Sequence, residues 1–157
     1  MASYFSRFFD ARQFTAAYAA PEEHLTDLVR WCELLLSAYL PCFLPDPNGT
    51  ARPDPETVRR EVLLDFDKAL FHIDARAETS VKAGDFLAAQ YVREVLKLTN
   101  LELFALVLWL LPEYDQRFGP LLGRLQGSPS PCRPSFDMAT KLFHFTEHCI
   151  QNLRPQL

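Results

Sequence analysis

The stretch Leu98–Gln126, LTNLELFALVLWLLPEYDQRFGPLLGRLQ, decides the fold, because it holds the longest apolar run of the chain and stops that run on a proline. The Thr99 hydroxyl can accept from the backbone N–H of Glu102 while the Glu102 carboxylate reaches back, so the spacing predicts a capping box and a helix from about Asn100. From Leu101 to Leu111 only Glu102 is charged. A segment apolar on nearly every face has to be enclosed by other helices. At eleven residues it is too short to cross a bilayer, which takes about 20. Pro112 has no N–H to donate and disfavours helix at Leu111, so the helix is expected to end or kink there. Glu113 and Asp115 follow beside the positive end of a second helix.

Working outward, amphipathic periodicity recurs in both directions. Upstream, Phe86, Leu87, Tyr91, Val92, Val95 and Leu96 predict a helix that leads into the central one. Gly84 and Asp85 before it suggest a turn and a cap. Pro55 and Glu56 open another, striped by Val58, Val62, Leu63, Phe66, Ala69, Leu70 and Ile73. That stripe weakens after Arg76. Its polar side, Arg59, Arg60, Glu61, Asp65, Asp67, Lys68 and Asp74, has mixed signs and reads as a solvated face. Between Pro21 and Phe43, Leu25, Leu28, Val29, Cys32, Leu35, Leu36 and Tyr39 recur at three- and four-residue steps, with Trp31 off the stripe and Pro41 and Pro45 as stops.

The proline-rich residues 45–55, with Asn48-Gly49, read as an exposed loop. Residues 1–20 place Tyr4, Phe5, Phe8, Phe9, Phe14 and Tyr18 on a short helix or two, read as packing on the domain body, with a membrane-surface or partner-binding segment as the alternative. Downstream, residues 127–134 form a loop. Phe136, Ala139, Leu142, Phe143, Phe145, Thr146 and Ile150 then supply the buried face of a last helix. Strand-like alternation is scarce, so the expected fold is all-α, a bundle of five to seven helices forming one domain over residues 1–157.

Composition agrees and narrows the function. Hydrophobic residues make up 48% and charged residues 23%, a balance that supports a packed core without staples. Five glycines against 13 phenylalanines suit packed helices better than turn-rich sheets. A net charge of −4 without any block of basic residues argues against nucleic acid as a partner. Cys32, Cys42, Cys132 and Cys149 are scattered without C-x-x-C pairing. No leader precedes them, so reduced thiols in a cytoplasmic protein are expected.

Catalytic templates fail. No phosphate-binding glycine loop and no nucleophile elbow is present. Asp65 and Asp67, two apart on a helix, cannot form an acid–base pair on one face. His144-Phe-Thr-Glu147-His148 matches the H-x-x-E-H letters of inverted zinc peptidases, two His one turn apart with a Glu to activate water. A third ligand would normally lie well downstream, and none follows His148 except the adjacent Cys149. The expectation is therefore no catalytic residue, no cofactor and no metal, with a zinc-dependent hydrolase as the enzyme alternative.

One pattern is more specific. Leu98-Thr99-x-x-Glu102, Leu110-Leu111-Pro112-Glu113-Tyr114-Asp115-x-Arg117-Phe118, Leu125-Gln126 and Arg133-Pro134-Ser135 resemble the helical region ahead of the ATPase module in a group of bacterial AAA-type ATPases. Tyr114 and Leu111 depart from that pattern, as do Gly127 and Ser128, where an acidic pair is usual. The resemblance implies a non-catalytic accessory domain that recruits a partner or substrate, or organises the ATPase ring. ATP and Mg would then belong to the parent module, and oligomers would form through it. Thr99, Glu102, Pro112, Glu113, Asp115, Arg117, Arg133 and Pro134 carry the resemblance. Physically, Glu113, Asp115 and Arg117 can satisfy caps and one another, fixing the angle between core helices. Contact surfaces are expected in the aromatic N-terminal segment or the loops at 45–55 and 127–134, and a free-standing helical adaptor is the alternative without an ATPase.

Overall fold

The computed structural model describes residues 3–43, 52–127 and 133–153, with side chains as far as Phe145. Among these residues the chain forms seven α-helices, one 3-10 turn and no strand. The helices are α1 (Tyr4–Phe8), α2 (Glu22–Phe43), α3 (Pro55–Lys82), α4 (Ala88–Val95), α5 (Asn100–Tyr114), α6 (Phe118–Leu125) and α7 (Phe136–Leu153). The all-α bundle expected from periodicity is the fold observed. The loop at 45–55 lies mostly outside the described residues.

The starts of α3 and α5 follow local chemistry, while α4 begins at Ala88 on an uncapped Leu87 instead of the Asp85 cap expected, and α6 on an uncapped Arg117. Asp54 accepts from the Thr57 N–H at 3.3 Å, one residue ahead of Pro55, and Pro55 is preset for the first turn. Both halves of the Thr99–Glu102 capping box are present.

The ends do not follow the prolines. Pro112 lies inside α5, whose last residue is Tyr114, and Pro41 lies inside α2, which runs on to Phe43. Each proline sits within the final turn, where only one intrahelical donor is lost. In α5 the Asp115 N–H closes the turn on the Leu111 carbonyl at 2.9 Å.

Two further departures have a common cause. The helix that loses its stripe after Arg76 runs on to Lys82, because polar residues carry it across buried ground. The Ser80 hydroxyl accepts from the Tyr18 N–H at 2.8 Å, and Arg76 Nε donates to the Ala16 carbonyl at 3.0 Å. The segment after α1 covers this end of α3.

Likewise Trp31, off the apolar stripe, is wholly buried, stacked on Phe66 at 4.9 Å and edge-on to Phe104 at 5.5 Å. The core therefore centres on α2, not α5: half of its 22 residues are buried, and it packs on α1, α3, α5 and α7. Helix α5 buries Leu103, Phe104, Val107, Leu108 and Leu111 on its inner side only. Its outer side, with Trp109 48% exposed, is open. Of the N-terminal aromatics, Phe5, Phe9 and Tyr18 are buried, so this segment contributes core rather than a free contact face. Phe136, expected inside, is 69% exposed, while Met138 takes the buried position on α7.

Candidate interaction surface

Of the residues of the Leu98–Ser135 pattern, Glu113, Asp115, Arg117, Arg133 and Pro134 lie where the end of α5 meets α6 and the start of α7, whereas Thr99 and Glu102 cap the opposite end of α5. Asp115, the residue that ends α5, accepts from the Arg117 backbone N–H at 3.0 Å and from its guanidinium. That side-chain bond holds the Asp115 carboxyl below the usual carboxylate range. Glu113 pairs with Arg133, and the Arg133 guanidinium lies over the Trp109 ring, 4.3 Å from its centroid. Gln126 ties the strand of chain before α7 to α6. Its amide donates to the Arg133 carbonyl at 3.0 Å, and its oxygen accepts from the Ser135 N–H at 2.9 Å. Each of these bonds is spent within the protein, on joining helix ends.

A second polar cluster is buried. Asp27, 3% exposed on α2, accepts from Arg76 at 3.3 Å, Arg30 at 3.3 Å and the Tyr18 hydroxyl at 2.9 Å. Arg76 also stacks on the Tyr18 ring at 4.1 Å. Burial, then the nearby Asp27 carboxylate, raises the Tyr18 hydroxyl pKa and keeps it protonated. The cluster cross-links α2, α3 and the segment between α1 and α2.

His24 and His72 are buried as well. Burial, assisted by the Arg93 charge, pushes the His24 pKa down to about 4. His72, ringed by Phe5, Phe9 and Phe14, is lowered chiefly by burial. Both fold as neutral imidazoles while the unfolded chain protonates near pH 6.5, so the unfolded state binds more protons and stability falls as pH is lowered from 6.5 toward 4. For His24 alone the loss should reach roughly 3 kcal/mol at ~1.4 kcal/mol per pH unit. Urea titrations of the protein and of His24→Phe at pH 7 and 4.5 should show the variant losing less stability over that interval.

The described thiols lie outside both clusters. Burial raises the thiol pKa of Cys32 and of Cys42, the opposite of nucleophile activation. His144 lies on α7, but the side chains of Glu147, His148 and Cys149 lie outside the described residues, as does Cys132. Among the described residues no group of three or more His, Cys, Asp or Glu could hold a metal ion.

What the described residues do present is an apolar surface. A groove of about 580 Å³ opens between the start of α2, α4 and α5, lined by Pro21, Leu25, Phe86, Val92, Leu106 and Leu110 among others, with Glu22 and His24 as its ionisable groups. A second hollow of about 450 Å³ lies between α5 and the start of α7, lined by Leu106, Trp109, Pro134 and Phe136. Leu106 on α5 lines both. Along α4, Val95 and Leu96 continue the Val92 stripe one turn further and are 57% and 64% exposed. Helix α4 itself buries none of its residues.

Against known families, the model described as a winged helix domain, variant, matches residues 10–153. The chain belongs to this winged helix variant family. No curated protein and no solved structure matches it. The described part of this winged helix domain has no β-strand from which a wing could be built. Many of its cations are paired: nine of the chain's 16 Lys and Arg are seen paired with a carboxylate among the described residues. Two more, Arg7 and Lys68, lie over the rings of Tyr4 and Phe5. No helix among the described residues is long and apolar enough to cross a membrane.

Sequence reading missed this surface because it assigns every apolar stripe to the core. One signal could have found it. Helix α5 is apolar on more faces than a single-layer neighbourhood can cover, and α4 is too short to shield it.

Proposed function

We infer that this domain is a non-catalytic protein-interaction module whose working surface is the apolar area across α4, α5 and α7. The observation that carries the reading is Leu106, shared by two open apolar hollows. The two polar clusters described above are held by internal bonds. The resemblance of the Leu98–Ser135 pattern to the region ahead of AAA-type ATPase modules supplies a setting, in which the domain brings a partner to an ATPase in the cytoplasm. Without an ATPase the same surface serves a free-standing adaptor.

Winged helix domains often bind DNA, so nucleic acid is the competing partner. Phosphate recognition requires unpaired cations clustered on one face, and affinity scales with the number of phosphates neutralised. The committed cations and the net charge of −4 favour protein instead.

The test selects a library of displayed helical peptides against the folded domain, with Leu106→Asp as the counter-screen. Binders lost in that variant are the expected result. ATP titration of residues 1–157 should give no heat, and a short DNA duplex should not be retarded at physiological salt. Retention of the duplex with a steep salt dependence would move the partner to nucleic acid. Stoichiometric zinc, lost together with peptidase activity in His148→Ala, would establish the hydrolase alternative.

A further inference from the structure

The groove is apolar along its floor and has one carboxylate in its lining, with two more on residues next to or one turn from lining residues. Glu22, an exposed residue in the first turn of α2, lines it. Asp85, also exposed, directly precedes the rim residue Phe86. Glu102 is exposed one turn before Leu106 on the same face of α5, and its carboxylate is used only by the Thr99 cap. None of the three forms an ion pair among the described residues. The nearest basic side chain on α4 is turned to other work: Arg93 donates to Asp74 at 2.6 Å and to Asn100 at 3.0 Å. An apolar channel between α2, α4 and α5, with the uncompensated Glu22 carboxylate in its lining and those of Asp85 and Glu102 close along the chain, suits a helix of complementary charge.

We propose that the α2–α4–α5 groove takes an amphipathic helix of a partner protein, one with a Leu- or Phe-rich stripe at i, i+4 and i+7 flanked by Lys or Arg. The proposal rests on the interaction reading above and names the partner's chemistry. A second copy of this chain is disfavoured as occupant, because the same face on a partner copy brings a further carboxylate, Glu22, and no Lys or Arg among the groove's lining residues to offset it. Leu106, Leu110 and Val92 supply the apolar anchors' seat, and Glu22 supplies the charge that selects the sign of the flanks.

Two synthetic helical peptides with the same apolar stripe, one flanked by Lys and one by Glu, test this by fluorescence anisotropy against the full 157-residue chain. The Lys-flanked peptide should bind at least about tenfold more tightly, the preference shrinking as salt rises. Glu22→Lys should weaken the Lys-flanked peptide several-fold and strengthen the Glu-flanked one. Leu106→Asp should remove both, and Phe86→Ser, at a residue 65% exposed, repeats that arm should Leu106→Asp misfold by circular dichroism. Equal binding of both peptides, lost in Leu106→Asp, would overturn the basic-helix proposal and leave the interaction surface standing. Absence of any peptide, designed or selected from the library, that responds to Leu106→Asp or Phe86→Ser would overturn both. A concentration-dependent dimer abolished by Leu106→Asp would assign the groove to a second copy and also overturn it.

Discussion

Asp27→Ala should lower the unfolding free energy by about 3–5 kcal/mol, the range for removing one member of a buried ion pair. Asp27 is the acceptor for three donors from three parts of the chain, Tyr18, Arg30 and Arg76. Of these, Arg30 is half exposed and can turn to water, but the Arg76 side chain is only 8% exposed. Removing the carboxylate leaves Arg76 buried as a charge with the Ala16 carbonyl and the Tyr18 ring as its remaining partners. Asp27→Asn keeps the shape and an acceptor oxygen, so it should cost less than the alanine. Equilibrium denaturation of the two variants measures this. A loss below about 1 kcal/mol in Asp27→Ala would mean that Arg76 reaches solvent without disturbing the packing of α3 on α2.

Leu108→Ala should cost about 2–5 kcal/mol, as buried leucine truncations do. Leu108 is fully buried in the cluster that includes Trp31, Phe66 and Phe104, so the lost atoms leave a void that rigid aromatic neighbours fill poorly. The control lies half a turn away on the same helix. Leu106 is 36% exposed, and Leu106→Ala should change stability by less than about 1 kcal/mol. Equal denaturation midpoints for the Leu108 variant and the parent protein would contradict the position of α5 in the core. A large loss in the Leu106 variant would instead show that its surface is already covered.

The start of α5 was legible in the sequence because its cause is local, whereas α4 begins at Ala88 without the Asp85 cap expected for it, and α6 begins without a side-chain cap. Thr99 with Glu102 satisfies backbone donors within three residues of itself, and Pro55 marks the first turn of α3 by its fixed backbone, though the Asp54 cap ahead of it was not singled out. The ends were less so. A proline stops a helix only if more than its final turn remains to be built, and neither Pro41 nor Pro112 is in that situation. The continuation of α3 past Arg76 was hidden for a different reason: Ser80 and Arg76 are buried by bonds to Tyr18 and Ala16, some 60 residues away. No local pattern encodes that pairing.

The candidate site divides in the same way. Glu113, Arg133 and Pro134 could be picked out from their pattern, and they do stand together at the junction of α5 and α7. The exposure of Phe86, Trp109 and Phe136 could not, because an apolar side chain looks the same in sequence whether or not a neighbour covers it. The decisive fact is which helix stands in front of it, and α4, with eight residues, is too short to do so for all of α5.

The two tryptophans occupy opposite environments. Trp31 is shut in apolar surroundings with its indole N–H unpartnered, whereas Trp109 sits half open under the Arg133 guanidinium, beside Phe136 at the edge of a hollow. Their emission should differ accordingly, Trp31 blue and out of reach of acrylamide, Trp109 redder and readily quenched. The native chain thus carries two optical probes with separate duties. One changes when the core opens, and the other when something settles on the outer face of α5, so unfolding and occupancy can be followed in a single cuvette without a label.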